Sequence, residues 1–323
     1  MLKVLAMGNA LTDVLIRVDS DDILTSLGLP KGSMQLIDQE QFNDIKKVVS
    51  GMPYSLVCGG SAANTITGIA KMGLQTGFVF KVHKDEIGEN YKRDLDSYGV
   101  KTMTLYDNQP SGQSLVFISP DGERTMATFL GAAASMLAED LKTEMFSGFD
   151  MFYIEGYLVQ NHALIEEALK MAKTSGMTIA LDLASYNVVE GNLDFLKYIM
   201  SEYVDIVFAN EEEARSFTNM QPEEALEKMS EMTKIAVVKL GANGAIAKKG
   251  NESACVGAFS ANCLDTTGAG DLFASGFIFG LSENLPLEKC LYYGTVSAGK
   301  VIEFIGPRID NTGWEEVLNL YKK

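Results

Sequence analysis

The segment DTTGAGD, Asp265 to Asp271, runs directly into the apolar stretch LFASGFIFGL. Small residues between two carboxylates leave the backbone N–H groups of Gly268, Ala269 and Gly270 unshielded where a helix should begin. The first N–H groups of a helix lack partners within it, and the aligned peptide dipoles add partial positive charge there. Such a loop suits an anion, phosphate above all. Asp271 beside it admits two readings. It is a favourable carboxylate in a first helical turn, or a general base that takes the proton of a hydroxyl attacking a bound phosphoryl group while the amides stabilise the developing charge. Spacing alone leaves both open.

These residues need elements to hold them in place. Short β-rich runs, MFYIEGYL (151–158), MTIALDLA (177–184), VDIVFAN (204–210) and KIAVVKLG (234–241), alternate with segments such as HALIEEALKMAKTSG, in which apolar residues recur every three or four positions. The pattern predicts an α/β fold whose mainly parallel central sheet is covered on both faces, with right-handed crossovers. LKVLAMG (2–8) and QTGFVFKV (75–82) fit the same sheet. LTDVLIRV (11–18), SMQLID (33–38), KTMTLYD (101–107) and QSLVFIS (113–119) alternate partly with period two and lack long helices between them. They predict a small, mainly antiparallel sheet, a lid built from excursions at about 11–38 and 101–119 of a single domain spanning residues 1–323. In an open α/β sheet, ligands bind beyond the carboxyl ends of the strands. That rule brings Asn9, Asp182, Asn210 and Gly241 to Gly244 to the same cleft as the 265–271 loop.

Composition narrows the classes. The chain of 323 residues is 46% hydrophobic, enough for a large core, and its net charge of −16 opposes nucleic acid and anionic membrane surfaces. Asn9 and Asp13 interrupt the apolar N-terminus, and no later segment reaches the roughly 20 apolar residues of a membrane span, so a cytoplasmic protein is expected. Cys58, Cys255, Cys263 and Cys290 are scattered without a C-x-x-C pair, which predicts buried free thiols. GTVSAGKV (294–301) nearly spells a P-loop but ends in Val301, which has no hydroxyl for magnesium, and GAGDLF (268–273) lacks the third glycine of a dinucleotide fingerprint. Two histidines and no G-x-S-x-G leave little material for a Ser-His hydrolase.

DTTGAGDLFASGF resembles the C-terminal signature D-T-x-G-A-G-D of the ribokinase-like (PfkB) carbohydrate and nucleoside kinases, and the resemblance extends over nearly the whole chain. GNALTDVLIRVD (8–19), KGSMQLID (31–38), GGSAANT (59–65), GERTM (122–126), NEEEA (210–214) and IGPR (305–308) look like further motifs of that family, as does KDEIGENYKRDLDSYGV (84–100), with His83 where glycine is usual. KGSM, DGERTMATFLGA and IEFIGPR lean toward its adenosine-kinase-like branch.

The resemblance implies a three-layer α/β/α sandwich with a β-sheet lid, and ATP-dependent phosphorylation of a hydroxyl, usually primary, on a small sugar or nucleoside. It makes Asp271 the base and gives the γ-phosphate to Gly268, Ala269 and Gly270. Asn210 and Glu213 would position Mg²⁺, through water as suits a cation that dehydrates reluctantly. Gly241 and Gly244 would line the nucleotide together with Lys239, which replaces a common threonine. Asp265 and Thr267 correspond to positions that in some members help hold a monovalent cation such as K⁺. Asp13, Gly59, Gly60 and Asn64 would take the acceptor: a carboxylate accepts from vicinal hydroxyls, an amide donates and accepts, and glycines let a ring approach. Without the resemblance, Glu213 reads as part of a solvated acidic run, Asp13 as an edge charge and Asn64 as a helix cap. Acceptor identity, nucleoside or sugar, stays open, as does monomer or homodimer. The rival from another class is a non-catalytic relative that binds a sugar or nucleotide and regulates a partner, although a binding module has no use for a base beside an anion loop.

Overall fold

The most apolar runs of the sequence become the central strands. In the computed structural model, which describes residues 1–322, the chain lays down β1 (Lys3–Met7) and makes an excursion through β2 (Leu11–Arg17), β3 (Met34–Leu36) and β4 (Tyr54–Cys58). It then returns with β5 (Gln75–Val82) and β6 (Lys101–Tyr106). A second excursion holds β7 (Gly112–Ile118) and β8 (Arg124–Phe129). The remaining strands are β9 (Met151–Glu155), β10 (Thr178–Asp182), β11 (Ile206–Asn210), β12 (Ile235–Lys239), β13 (Ala245–Lys249) and β14 (Glu252–Val256).

Nine strands form the main sheet in the order β14-β13-β12-β11-β10-β9-β1-β5-β6, parallel from β12 to β6. Alternate residues of each strand enter different cores. Leu5, Met7, Phe152, Ile154, Leu181 and Val207 pack into one, and Val4, Ala6, Tyr153, Ala180, Phe208 and Val237 into the other. Both faces are therefore covered, the physical reason these strands read as continuous apolar runs. The expected three-layer sandwich is present.

The lid differs from expectation in two respects. Residues 101–106 are β6, which pairs in parallel with β5 at the edge of the main sheet. Its Thr-Met-Thr-Leu alternation reflects an edge strand with one face half open, not lid membership. The lid order is β3-β8-β7-β2-β4, and its pairing is mixed: β2 with β4 and β7 with β8 are antiparallel, β2 with β7 and β3 with β8 parallel. The hairpin β13–β14 also extends the main sheet, an addition the apolar periodicity does not announce. One lid face builds its own core from Val14, Ile16, Leu115 and Phe117, sealed by Phe42 and Ile45 of helix Gln39–Val48. The other faces the cleft. All four cysteines are free, but Cys255 and Cys263 are exposed, against the expectation of burial. No helix among the described residues is long and apolar enough to cross a membrane.

Candidate active site

Helix Ala269–Ser282 starts at Gly268, whose φ of +79° and 2.8 Å separation between a would-be Cβ and Pro307 admit no side chain. No side chain caps this helix. The Ala269 N–H donates to the Thr266 carbonyl within the loop, whereas those of Gly268 and Gly270 have no protein acceptor among the described residues. Gly268 and Gly270 thus leave donors at the positive end of a 14-residue helix, whereas the Ala269 amide, expected to be unshielded with them, is already taken.

Asp271 lies in the first turn, and its two carboxylate oxygens accept from Ser61 Oγ at 2.6 Å and Asn64 Nδ2 at 2.8 Å. Burial pushes its carboxyl up to about 6; the hydrogen bonds from Ser61 and Asn64 and the charge of Lys239 oppose that rise, and the charge of Asp182 adds to it. Ser61 and Asn64 belong to helix Ser61–Lys71, which begins after Gly60. Gly60 has φ +93°, and a Cβ there would stand 2.5 Å from the Asn9 carbonyl oxygen. Ser61 is a contact that the sequence reading missed, because its partner lies 210 residues away.

On the other side of the loop, the ends of β10, β11 and β12 bring Asp182, Asn210 and Lys239 together. Lys239 Nζ donates to Asp182 Oδ2 at 2.8 Å. Burial alone would lower the Lys239 ammonium, but the carboxylates of Asp182, Glu213 and Asp271 more than offset this and hold it above its ordinary value. Asn210 caps helix Glu211–Thr218 in a closed box: Asn210 N and Nδ2 donate to the two Glu213 oxygens, each at 2.7 Å, and Glu213 N donates to Asn210 Oδ1. Glu213 is 2% exposed, and burial pushes it well above the carboxylate range. With both oxygens engaged in the cap, this pair suits a hydrated Mg²⁺ held through water and not direct ligation. Gly241 and Gly244 flank a single helical turn just past β12, beside Lys239.

The residues expected to take the acceptor divide. A cavity of about 730 Å³ lies between lid and sheet, lined by Asp13, Gly60, Ser61 and Asn9 among others. Gly59 and Asn64 are not in its wall: Gly59 supports β2 and Tyr91 through its backbone, and Asn64 is buried against Asp271. Asp13 stands on a rung that crosses the lid through Ser114, Thr128 and Leu36. Burial pushes Asp13 up to about 6, opposed by the charge of Arg124. Beneath the cavity, Glu155 is 1% exposed and accepts from Asn9 N, Asn9 Nδ2 and Ala62 N. Burial pushes it up to about 7. Only its place at the end of an apolar strand, MFYIE, could have flagged it.

Asp265 braces the anion loop. One oxygen accepts from Thr267 N and Oγ1, the other from Gly306 N at 2.7 Å and from the Arg124 guanidinium at 3.1 Å. A carboxylate so occupied, with a guanidinium already on it, does not fit a monovalent cation. Arg124 reaches it from lid strand β8, so lid and loop are bridged by one ion pair.

Residues 32–312 match the pfkB family carbohydrate kinase. The chain is similar to a solved structure of adenosine kinase from Sinorhizobium meliloti, with 34% identity, TM-score 0.86 and 99% of each chain covered. It is equally similar to a probable sugar kinase from Rhizobium etli, with 34% identity, TM-score 0.86, and 99% of this chain and 98% of that one covered. A 5-dehydro-2-deoxygluconokinase from Geobacillus kaustophilus is 29% identical over 282 residues, 78% of this chain and 80% of that protein.

Proposed function

The chain belongs to the pfkB family of carbohydrate kinases, and from that premise we propose that it transfers the γ-phosphoryl group of ATP to a primary hydroxyl of a neutral nucleoside. Phosphoryl transfer to a sugar or nucleoside hydroxyl is the activity of the family; the acceptor and the residue roles are the proposal. The observation that carries it is the position of Asp271, adjoining the anion loop on one side and joined through Ser61 to the acceptor cavity on the other.

The acceptor oxygen attacks the γ-phosphorus while Asp271 takes its proton, and the Gly268 and Gly270 amides receive the charge that develops on the phosphoryl oxygens. Mg²⁺ bound with the nucleotide would neutralise phosphate charge, and Asn210 and Glu213 would hold it through water. Asp13 and the polar lid rung hold the acceptor's ring hydroxyls.

The cavity wall contains two carboxylates, Asp13 and Glu155, and no Lys, Arg or His. A sugar acid or a phosphorylated sugar would meet both carboxylates there, and the nearby Arg124 guanidinium, whose charge acts on Asp13, is already paired with Asp265. The wall also carries Met34, Leu36, Leu130 and Met136, and Met34 and Leu36 are 56% and 59% exposed on the lid. A bare sugar has nothing to cover these side chains, whereas a nucleobase does. The test is ADP release from Mg-ATP across nucleosides, pentoses, hexoses and ketodeoxy sugar acids, with Asp271→Asn as control. Turnover with a nucleoside, lost in the variant, is expected. A sugar acid as best acceptor would refute the neutral-acceptor reading, and silence across the panel with ATP bound would favour the regulatory relative.

A further inference from the structure

The IGPR motif, residues 305–308, takes no part in the chemistry assigned above, yet its last three residues touch both halves of the site. They lie between helix Leu287–Val301 and helix Asn311–Tyr321. Gly306 N donates to Asp265 Oδ2 at 2.7 Å, and a Cβ on Gly268 would stand 2.8 Å from Pro307 Cβ, so this segment forms the seat of the anion loop. Arg308 serves the opposite wall. Its Nη1 donates to Thr67 Oγ1, and its Nη2 donates to the Cys58 carbonyl at 3.4 Å and stands 3.5 Å from Asp94 Oδ2. The guanidinium carbon lies 5.2 Å from the centre of the Tyr98 ring. Thr67 is on helix Ser61–Lys71, the helix that carries Ser61 and Asn64, and Cys58 ends β4 just before Gly59 and Gly60. Asp94 and Tyr98 belong to helix Glu86–Ser97 and its C-terminal cap.

Charge neutralisation does not account for this arrangement. A guanidinium recruited by Asp94 would meet its carboxylate edge to edge at about 2.8 Å. Instead the contact is single and long, Asp94 Oδ2 and Arg308 Nε are buried without a hydrogen bond among the described residues, and the fork is spread over three elements. A planar group with several donors can do this while facing a ring; a compact ammonium cannot. The Arg308 side chain is 18% exposed and lies outside the wall of the acceptor cavity. Phosphoryl transfer needs the acceptor oxygen and the γ-phosphorus at a set distance, and a misplacement of about 1 Å can cost about 10²-fold in rate. The helix turn with Asp271 is tied to Ser61 and Asn64, but the loop ahead of it, Asp265 to Gly268, makes no hydrogen bond to helix Ser61–Lys71 among the described residues. We propose that Arg308 is a positioning residue: its backbone continues from the Gly306–Pro307 seat of the anion loop, its side chain grips the strand end and the helix on either side of Gly60, and together they set the gap that the phosphoryl group crosses. The proposal rests on the kinase reading above and assigns a role within it.

Support of the fold is the competing explanation, and a kcat-against-KM split separates the two. Arg308→Met leaves the Asp94 carboxylate without its cation, and Arg308→Met/Asp94→Asn removes both charges. Arg308→Lys keeps the charge and gives up the fork. Phosphorylation from Mg-ATP of the four common ribonucleosides and of the sugars in the panel above, by the full chain, gives kcat and KM for the best acceptor, with thermal unfolding as the check on fold. All three variants are expected to lower kcat, the methionine variants at least tenfold, with a much smaller change in KM for acceptor or Mg-ATP, and Arg308→Lys keeps a cooperative unfolding transition. Where a methionine variant loses that transition, Arg308→Lys decides. Recovery of kcat in a folded double variant, wild-type kcat or loss of the transition in Arg308→Lys, or KM changes as large as those in kcat would overturn the role of Arg308 and leave the kinase reading standing. A wild-type protein that phosphorylates none of the acceptors would overturn both.

Discussion

Asp271 is held in a conflict that suits a base. Burial raises its carboxyl to about 6, while Ser61 and Asn64 favour the charged form. The carboxylate must be free of its proton to accept another, so activity should fall about tenfold per pH unit below that value. Asp13 is raised to a similar value, and Ser61→Ala distinguishes the two: it removes a bond that stabilises the Asp271 carboxylate and should move the acidic limb of the pH–rate profile upward, toward neutrality. An unmoved limb would mean that the limb belongs to another group. Asp271→Asn should lower kcat by roughly 10²–10⁴ with nucleotide affinity retained. At this scale the sequence was informative where function follows from adjacency. The placement of Gly268 to Asp271 at a helix start could be read because they are adjacent in the chain. Ser61 beneath Asp271, Glu155 beneath Asn9, and Asp182 against Lys239 could not, because each pair is assembled by strands or helices far apart in the chain.

Elements decide how firmly those residues are presented. Gly60 starts the helix that carries Ser61 and Asn64, at φ +93° and in contact with the Asn9 carbonyl. Gly60→Ala should therefore cost about 1–3 kcal/mol in a denaturant titration and also reduce kcat, since the helix start must shift. The central strands announced themselves by continuous apolar runs, a consequence of burial on both faces. Period two was the weaker guide. It correctly marks β2 and β7, whose alternate residues enter the lid core, but it gives the same signature to β6, an edge strand of the main sheet. Hydrogen exchange tests this division. Acceptor plus an ATP analogue should slow exchange in residues 11–17, 34–36 and 112–118 and leave 101–106 unchanged. Equal protection of 101–106 would contradict its separation from the lid.

For the molecule as a whole, the cleft concentrates raised carboxylates: Asp13, Glu155, Glu213 and Asp271 each bind a proton more tightly folded than unfolded. Such a group favours folding at low pH, and its contribution is lost as pH rises from the unfolded value through the folded one. For Asp271 that window runs from 3.8 to about 6. The difference in unfolding temperature between Asp271→Asn and wild type should thus move in the variant's favour between pH 4 and pH 8. A pH-independent difference would show that Asp271 ionises in the folded protein as it does unfolded. Function and stability are opposed at this carboxylate, as is common at sites built for chemistry.

The proposed base Asp271 and the Gly270 amide share the first turn of one helix, Ala269–Ser282, with Gly268 at its cap. Whatever slides or breathes in the sheet below, these two parts travel together, and their mutual spacing has almost no mechanical freedom. In the proposed reaction the acceptor would be gripped from elsewhere, by a small sheet with its own core. Tolerance to change is therefore unevenly distributed: the reacting machinery is a fixed tool, and the lid is an exchangeable jaw whose rung residues could be recut for another acceptor without resetting the chemistry.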